Sequence, residues 1–246
     1  MKESDKSHHN GKRKIIIQPN GPYLVQGNVP LVYKSQVVSE HGEPLTWRKD
    51  GQEEIDAEEY CLCRCGNSSQ KPFCDGSHRE TGFDGSETAQ TARPAEFQMT
   101  YRCGELVIKQ DLSLCMNSGF CGLRDTNLFK MIAEADDSQT RSLAIAMVER
   151  CPSGALTYKV EDGGEDIEPD LPQQIAVTTE FTASGPCSGS LWVTGSIEIV
   201  RADGQAFAPR NRVTLCNCGC SKNKPLCDGT HRCEVTQTAE PKSATA

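Results

Sequence analysis

The feature that most constrains this chain is a sixteen-residue arrangement of metal-ligating side chains that occurs twice. The first copy runs from Cys63 through Cys65 and Cys74 to His78, and the second from Cys216 through Cys218 and Cys227 to His231. Each of the four donors recurs 153 positions later, together with Leu62, Gly66, Ser68, Lys71, Pro72, Asp75, Gly76 and Arg79. Three thiols and one imidazole make a complete four-donor set on one loop. They can converge only if the loop folds back on itself, which Gly66 and Pro72 permit.

Local geometry supports convergence. Cys63 and Cys65 flank Arg64, so a slightly twisted extended backbone can aim both sulfurs at one centre. Asp75-Gly76 begins a tight turn or helix start, and His78 follows Cys74 by four residues, the spacing of one helical turn, which would put both side chains on one face. Zinc accepts three Cys and one His. Its usual arrangement is two C-x2-4-C pairs far apart, whereas here C-x-C is followed closely by C-x3-H. On spacing alone, zinc and an iron–sulfur group stand level. Disulfides are disfavoured. The fourteen cysteines occur in a chain with no apolar run after Met1-Lys-Glu-Ser-Asp-Lys, which reads as no secretory signal and a reducing compartment. No stretch approaches the roughly 20 apolar residues of a membrane span.

The repeat extends beyond the loops. Ile15–Ile17 and Tyr23–Val32 read as strands around a Pro19-Asn20-Gly21-Pro22 turn, with a break at Gly27-Asn28. Leu191–Val200 reads likewise, with Gly195 matching Gly27. Asp50-Gly51-Gln52 matches Asp203-Gly204-Gln205, so the first copy carries its extra residues between about Val32 and Asp50. The unit is a strand pair, an Asp-Gly turn and the metal loop, used twice.

Both loops fit C-x-C-x2-S-x3-P-x-C-D-G-S/T-H, and the pattern resembles the CDGSH iron–sulfur (NEET) family. The resemblance implies a [2Fe–2S] cluster in each loop. Cys63 and Cys65 would hold one iron and Cys74 and His78 the other; Cys216, Cys218, Cys227 and His231 would do the same. It also implies a β-cap around paired loops, and with both motifs on one chain, a monomer with an internal pseudo-two-fold. Imidazole in place of thiolate removes negative charge and raises the reduction potential. Its protonation near neutral pH predicts pH-linked lability. Arg79 and Arg232, beside each His, either tune this or are ordinary solvated charges. Cys61, Cys220 and Cys233 face Thr214, Asn67 and Glu80 in the other copy, and Cys187 has no counterpart, so all four read as non-ligands.

The middle differs in character. Phe97–Tyr101, Glu105–Lys109 and Thr157–Val160 read as strands, and Ser142–Arg150 as a helix. Cys115 and Cys121 form C-x5-C, and Cys151 opens C-P-S-G-A-L. Residues 97–160 resemble the divergent single-cluster ferredoxin domain, in which the last ligand precedes Pro. The middle ligand of a full ferredoxin loop falls at Ser118. Three thiolates, Cys115, Cys121 and Cys151, suit [3Fe–4S]. A [4Fe–4S] cluster needs Ser118, water or Cys103 as a fourth donor, and Cys103 reads as a bystander.

The expected fold is α+β and mostly β. A first CDGSH unit spans 14–83 and a second 173–236, with the ferredoxin-like domain at 97–160 inserted between them. Linkers are expected at 84–96 and 161–172, with polar tails at 1–13 and 237–246; His8 and His9 have no Cys neighbour and are discounted. Residues 84–171 hold 16 acids and 8 bases, the whole of the −8 net charge. That argues against nucleic acid and leaves room for a basic protein partner. No nucleophile–base pair or phosphate loop is visible, so the reading is an electron carrier and not an enzyme. The alternatives are a carrier or pH/redox sensor that releases [2Fe–2S], and a structural zinc protein. Expected partners are a reductase or acceptor, or an apo-protein cluster acceptor, in a bacterial cytoplasm with no membrane.

Overall fold

The computed structural model describes residues 12–92, 97–161 and 163–234. His8, His9 and most of both expected tails lie outside the described residues, as do 93–96 of the first linker and the side chain of Cys233.

The first repeat supplies β1 (Lys14–Ile17), β2 (Tyr23–Gln26), β3 (Leu31–Val38), β4 (Pro44–Gln52) and β5 (Glu59–Leu62). The second supplies β9 (Gln174–Thr182), β10 (Gly185–Thr194), β11 (Glu198–Val200) and β12 (Arg212–Leu215). They do not form two separate sheets. One sheet runs β11-β1-β2-β5 and the other β12-β10-β9-β3-β4, so the second repeat lends β11 to the first sheet and the first repeat lends β3 and β4 to the second. Both exchanges are parallel: Ile15 opposes Ile199 in one, and Leu31 opposes Ile175 in the other.

The sequence explains the crossing. Tyr23–Val32 reads as one interrupted strand, but Gly27 (φ 88°) and Asn28 (φ 51°) turn the chain sharply enough that β2 and β3 join different sheets. Gly195 (φ 73°) and Ser196 (φ 58°) do the same between β10 and β11. The extra residues of the first copy build the long β3–β4 hairpin, where the second copy has only a tight turn closed by Arg201 N–H to Gln205 O at 2.8 Å.

The insert folds as an antiparallel sheet of β6 (Gln98–Cys103), β7 (Leu106–Asp111) and β8 (Leu156–Val160). Two helices pack on it: α1 (Leu128–Glu134), N-capped by Asn127, and α2 (Ser138–Arg150), N-capped by Asp137. Its core is continuous with that of the repeats. Ile15, Val25, Leu31, Ile175 and Val213 share one buried cluster with Ile108, Leu128, Met147 and Val148. A full burial of each such side chain stabilises by about 1.5–3 kcal/mol.

A buried cation fastens the insert to the second repeat. Arg212 on β12 donates from Nη1 to Glu149 O and from Nη2 to Val148 O (3.2 Å) and Leu156 O (2.9 Å). It thereby supplies donors to carbonyls at the C-terminus of α2, where a cation is also favoured by the helix dipole. The stretches expected as linkers are also tied down. Thr88 and Ala89 N–H groups donate to Lys224 O (2.8 and 2.9 Å), and Lys109 pairs with Asp166 at 2.6 Å.

Candidate metal centres

In each repeat a β-strand end and the segment after the cis-proline close one loop. Cys63 N–H donates to Pro72 O (2.8 Å) and Cys74 N–H to Cys61 O (2.9 Å). The second loop repeats both bonds at the same lengths, Cys216 to Pro225 and Cys227 to Thr214. Ser68 and Ser221 hydroxyls brace the loops by donating to Phe73 O and Leu226 O, each at 2.7 Å.

The approach of Cys74 and His78 is not made by a helical turn. Gly76 sits at φ 93°, outside any helix, and a short 3-10 turn, Ser77–Arg79, follows. Asp75 organises the bend by accepting from Ser77 N–H (3.0 Å) and Ser69 N–H (2.8 Å) and from both hydroxyls. Hydrogen bonds from Ser77, then Ser69, hold the Asp75 carboxyl well below the usual carboxylate range. In the second loop Asp228 accepts from Lys222 and Thr230, and α3 (His231–Glu234) follows.

The donors meet in twos. Cys63 and Cys65 sulfurs are 3.8 Å apart, and Cys74 Sγ lies 3.4 Å from His78 Nδ1. Cys216 and Cys218 are 3.6 Å apart, and Cys227 Sγ is 3.4 Å from His231 Nδ1. Among the described residues, no group of three or more His, Cys, Asp or Glu closes around a single ion. This donor set fits a binuclear group gripped at two ends: two thiolates on one side, a thiolate and an imidazole Nδ1 on the other.

The loops also supply backbone donors to sulfur. Amides of Ser68 and Gly66 face Cys63, and those of Ser221, Cys218 and Gly219 face Cys216. The S–H···S contact between Cys216 and Cys218 lets one thiol of the pair ionise more readily and holds the other protonated. Burial pushes Cys63 and Cys227 up. These buried thiols reach the ligating thiolate form when a metal group takes their protons' place.

The two loops press together back to back. Gly66 and Gly219 both sit at φ 82°. A Cβ on Gly66 would lie 2.3 Å from Cys218 O, and one on Gly219 would lie 2.4 Å from Cys65 O. Tyr23 reaches across as well, donating to Cys216 O at 2.7 Å.

Their surroundings differ. His78 opens onto a groove of about 830 Å³ lined by Gln18–Pro22, Cys61, Arg79 and Phe83. His231 is only 5% exposed. The cause is hairpin length. Ile15 corresponds to Ile175 and Val25 to Val193, so the β9–β10 hairpin is eight residues longer than β1–β2 and lies over the second site.

The insert contributes the third site. Cys115, Cys121 and Cys151 line one cavity of about 340 Å³ together with Ser118 and Phe129. Burial raises the Cys115 and Cys121 thiols, and each also feels Cys151. Cys103 points elsewhere, with its sulfur 3.4 Å from Ala135 O. This loop leans on the metal loop of the second repeat. Asn223 Nδ2 donates to Ser113 O (2.7 Å), Asn117 Nδ2 donates to Asp228 O (3.3 Å), and a Cβ on Gly229 would meet Met116 O at 2.5 Å. Of the remaining cysteines, Cys61 lines the groove beside His78, Cys187 is buried and Cys220 is exposed.

Sequence reasoning missed Tyr23, Arg64, Glu180 and Arg212 around these sites. Only Arg64, held between two ligand candidates, carried a positional hint.

Comparison with known families agrees with this arrangement. Residues 20–79 and 188–232 match the family described as iron-binding zinc finger, CDGSH type. Residues 101–161 match the divergent 4Fe-4S mono-cluster family. No curated protein matches the chain. Among the described residues no helix is long and apolar enough to cross a membrane.

Proposed function

We propose that this chain, which carries two CDGSH-type motifs with a divergent mono-cluster domain set between them, is an electron carrier, not an enzyme, whose three sites stand in a row. The observation that carries the reading is the order of contact. The insert loop touches the second CDGSH loop through Ser113, Met116 and Asn117. The second loop touches the first through Gly66 and Gly219. The second site is therefore the middle of the row, and His78 on the open groove is its far end.

Cys63, Cys65, Cys74 and His78 would hold one [2Fe–2S] cluster, and Cys216, Cys218, Cys227 and His231 another. The pairwise spacing of the donors favours this over two zinc ions. Cys115, Cys121 and Cys151 would hold a [3Fe–4S] cluster. Cys103 is turned away from their cavity, and Ser118 lines it as the candidate fourth donor of a [4Fe–4S] form. When bound, such clusters supply one-electron chemistry. The chain orders the sites, buries His231 at the middle one and leaves His78 at the far end accessible. The electron source would be a reductase carrying a flavin or iron–sulfur group, and the sink an oxidised acceptor protein.

Iron and sulfide analysis with EPR tests this. About seven irons with a three-iron signal from the oxidised protein is the expected result, about eight would indicate the four-iron form, and two or three zincs without sulfide would end the proposal. One observation favours a second reading, a carrier that releases [2Fe–2S]: His78 faces an open groove. Transfer from the first loop to an apo-acceptor, with no reduction by any reductase, would select it.

A further inference from the structure

Near-identical loops invite the expectation of near-identical potentials, but a buried carboxylate stands behind the imidazole of the second. Beside the second site lies Glu180 on β9, 0% exposed. Its Oε1 is 3.3 Å from His231 Nε2. Among the described residues neither atom has a hydrogen-bond partner. With Nδ1 turned to Cys227, and so to the metal side, Nε2 carries the proton and the carboxylate faces it. The place for this carboxylate is built: a Cβ on Gly189 would come within 2.8 Å of Glu180 Oε1.

Arg232 does not cancel the difference. It pairs with Glu180 Oε2 at 2.5 Å, but Arg79 stands at the same position of the first loop, so the arginine is common to both. The carboxylate is not. The short β1–β2 turn leaves open groove where the second site has Glu180. Arg64 stands between Cys63 and Cys65 in sequence, where the second loop has Asn217, and its guanidinium turns to other partners. Arg64 is 1% exposed, with Nη2 donating to Gly85 O at 2.7 Å and its guanidinium over the rings of Tyr23 and Phe83.

We propose that Glu180 is a positioning residue for His231 which makes the second CDGSH site the lower-potential member of the pair. A carboxylate behind the imidazole increases its electron donation and places a negative charge near the site, so the reduced state is disfavoured there. An electron arriving at the middle site is thus drawn outward, toward His78 and the open groove. This rests on the [2Fe–2S] reading of both loops.

The test is a potentiometric titration of the reconstituted full-length protein, dithionite as reductant, followed by absorbance and EPR, with iron and sulfide measured on the same samples. Wild type is expected to show two resolved His-ligated couples. In Glu180→Gln the lower couple shifts up by about tenfold in its equilibrium constant, 59 mV for one electron. Glu180→Ala shifts it at least as far, Glu180→Asp restores part of the shift, and the upper couple stays in place. Two full [2Fe–2S] complements with unmoved potentials in Glu180→Gln would overturn the role of Glu180 alone. Samples without sulfide would overturn the cluster reading beneath it, and this proposal with it.

Discussion

Gly66→Ala probes the contact on which the row of sites depends. Gly66 has φ 82°, so any Cβ carries left-handed backbone strain of about 1–2 kcal/mol. The new methyl would also lie 2.3 Å from Cys218 O, a backbone atom of the opposite loop that no rotamer change can move. Overpacking of that kind adds about 1–3 kcal/mol. Gly76 is the control: φ is 93°, and nothing lies within 4 Å of the place a methyl would take. Gly76→Ala therefore carries strain alone. Denaturant unfolding of both variants should place Gly66→Ala lower by about 1–3 kcal/mol, or about 2–4 °C per kcal/mol in a thermal melt. Gly219→Ala meets Cys65 O at 2.4 Å and should match Gly66→Ala. Because both methyls push the same two loops apart, the double variant should lose less than the sum. Equal stabilities for Gly66→Ala and Gly76→Ala would refute the back-to-back packing.

Other expected outcomes are independent of that one. Arg212→Ala strips donors from Val148, Glu149 and Leu156 carbonyls and leaves Glu168 facing a buried gap; the loss should be about 3–5 kcal/mol by equilibrium denaturation, with faster hydrogen exchange at the end of α2. Tyr23→Phe removes one buried hydroxyl bonded to Cys216 O and Pro225 O and should lose about 1 kcal/mol in the same assay. The Asp75 carboxyl is depressed by Ser77 and Ser69, so its contribution is complete above the unfolded value near pH 4 and is lost as pH falls below it. Acidification should loosen the first loop in wild type and leave Asp75→Asn already loosened and flat with pH, read by exchange at Ser69 and Ser77. An iron chelator should empty the first CDGSH loop of the reconstituted protein before the second, because His78 faces the groove and His231 is buried; loss of both at one rate would count against unequal access.

The ligand sets were legible because ligation is a local demand. Thiols and an imidazole must sit at short, definite spacings, and the loop that converges them needs Gly, Pro and Asp at definite places, all within sixteen residues. The same holds for the strands around them and for the repeat. Even the break at Gly27-Asn28 was visible, although not that it sends β3 into the other repeat's sheet. The C-x3-H spacing misled in detail, since Asp75 and Gly76 make a bend and not a helical turn. What sequence by itself determined was the chemistry each loop can perform. What only the tertiary structure decided was how the sites differ and in which order they touch. Burial and charge at a site come from distant segments: Glu180 reaches His231 from a lengthened hairpin, Arg212 fastens α2 from another strand, and Met116 meets Gly229 across the insert. Neither spacing nor composition records which distant segments fold against one another, and electrostatics at a buried site depends on that packing.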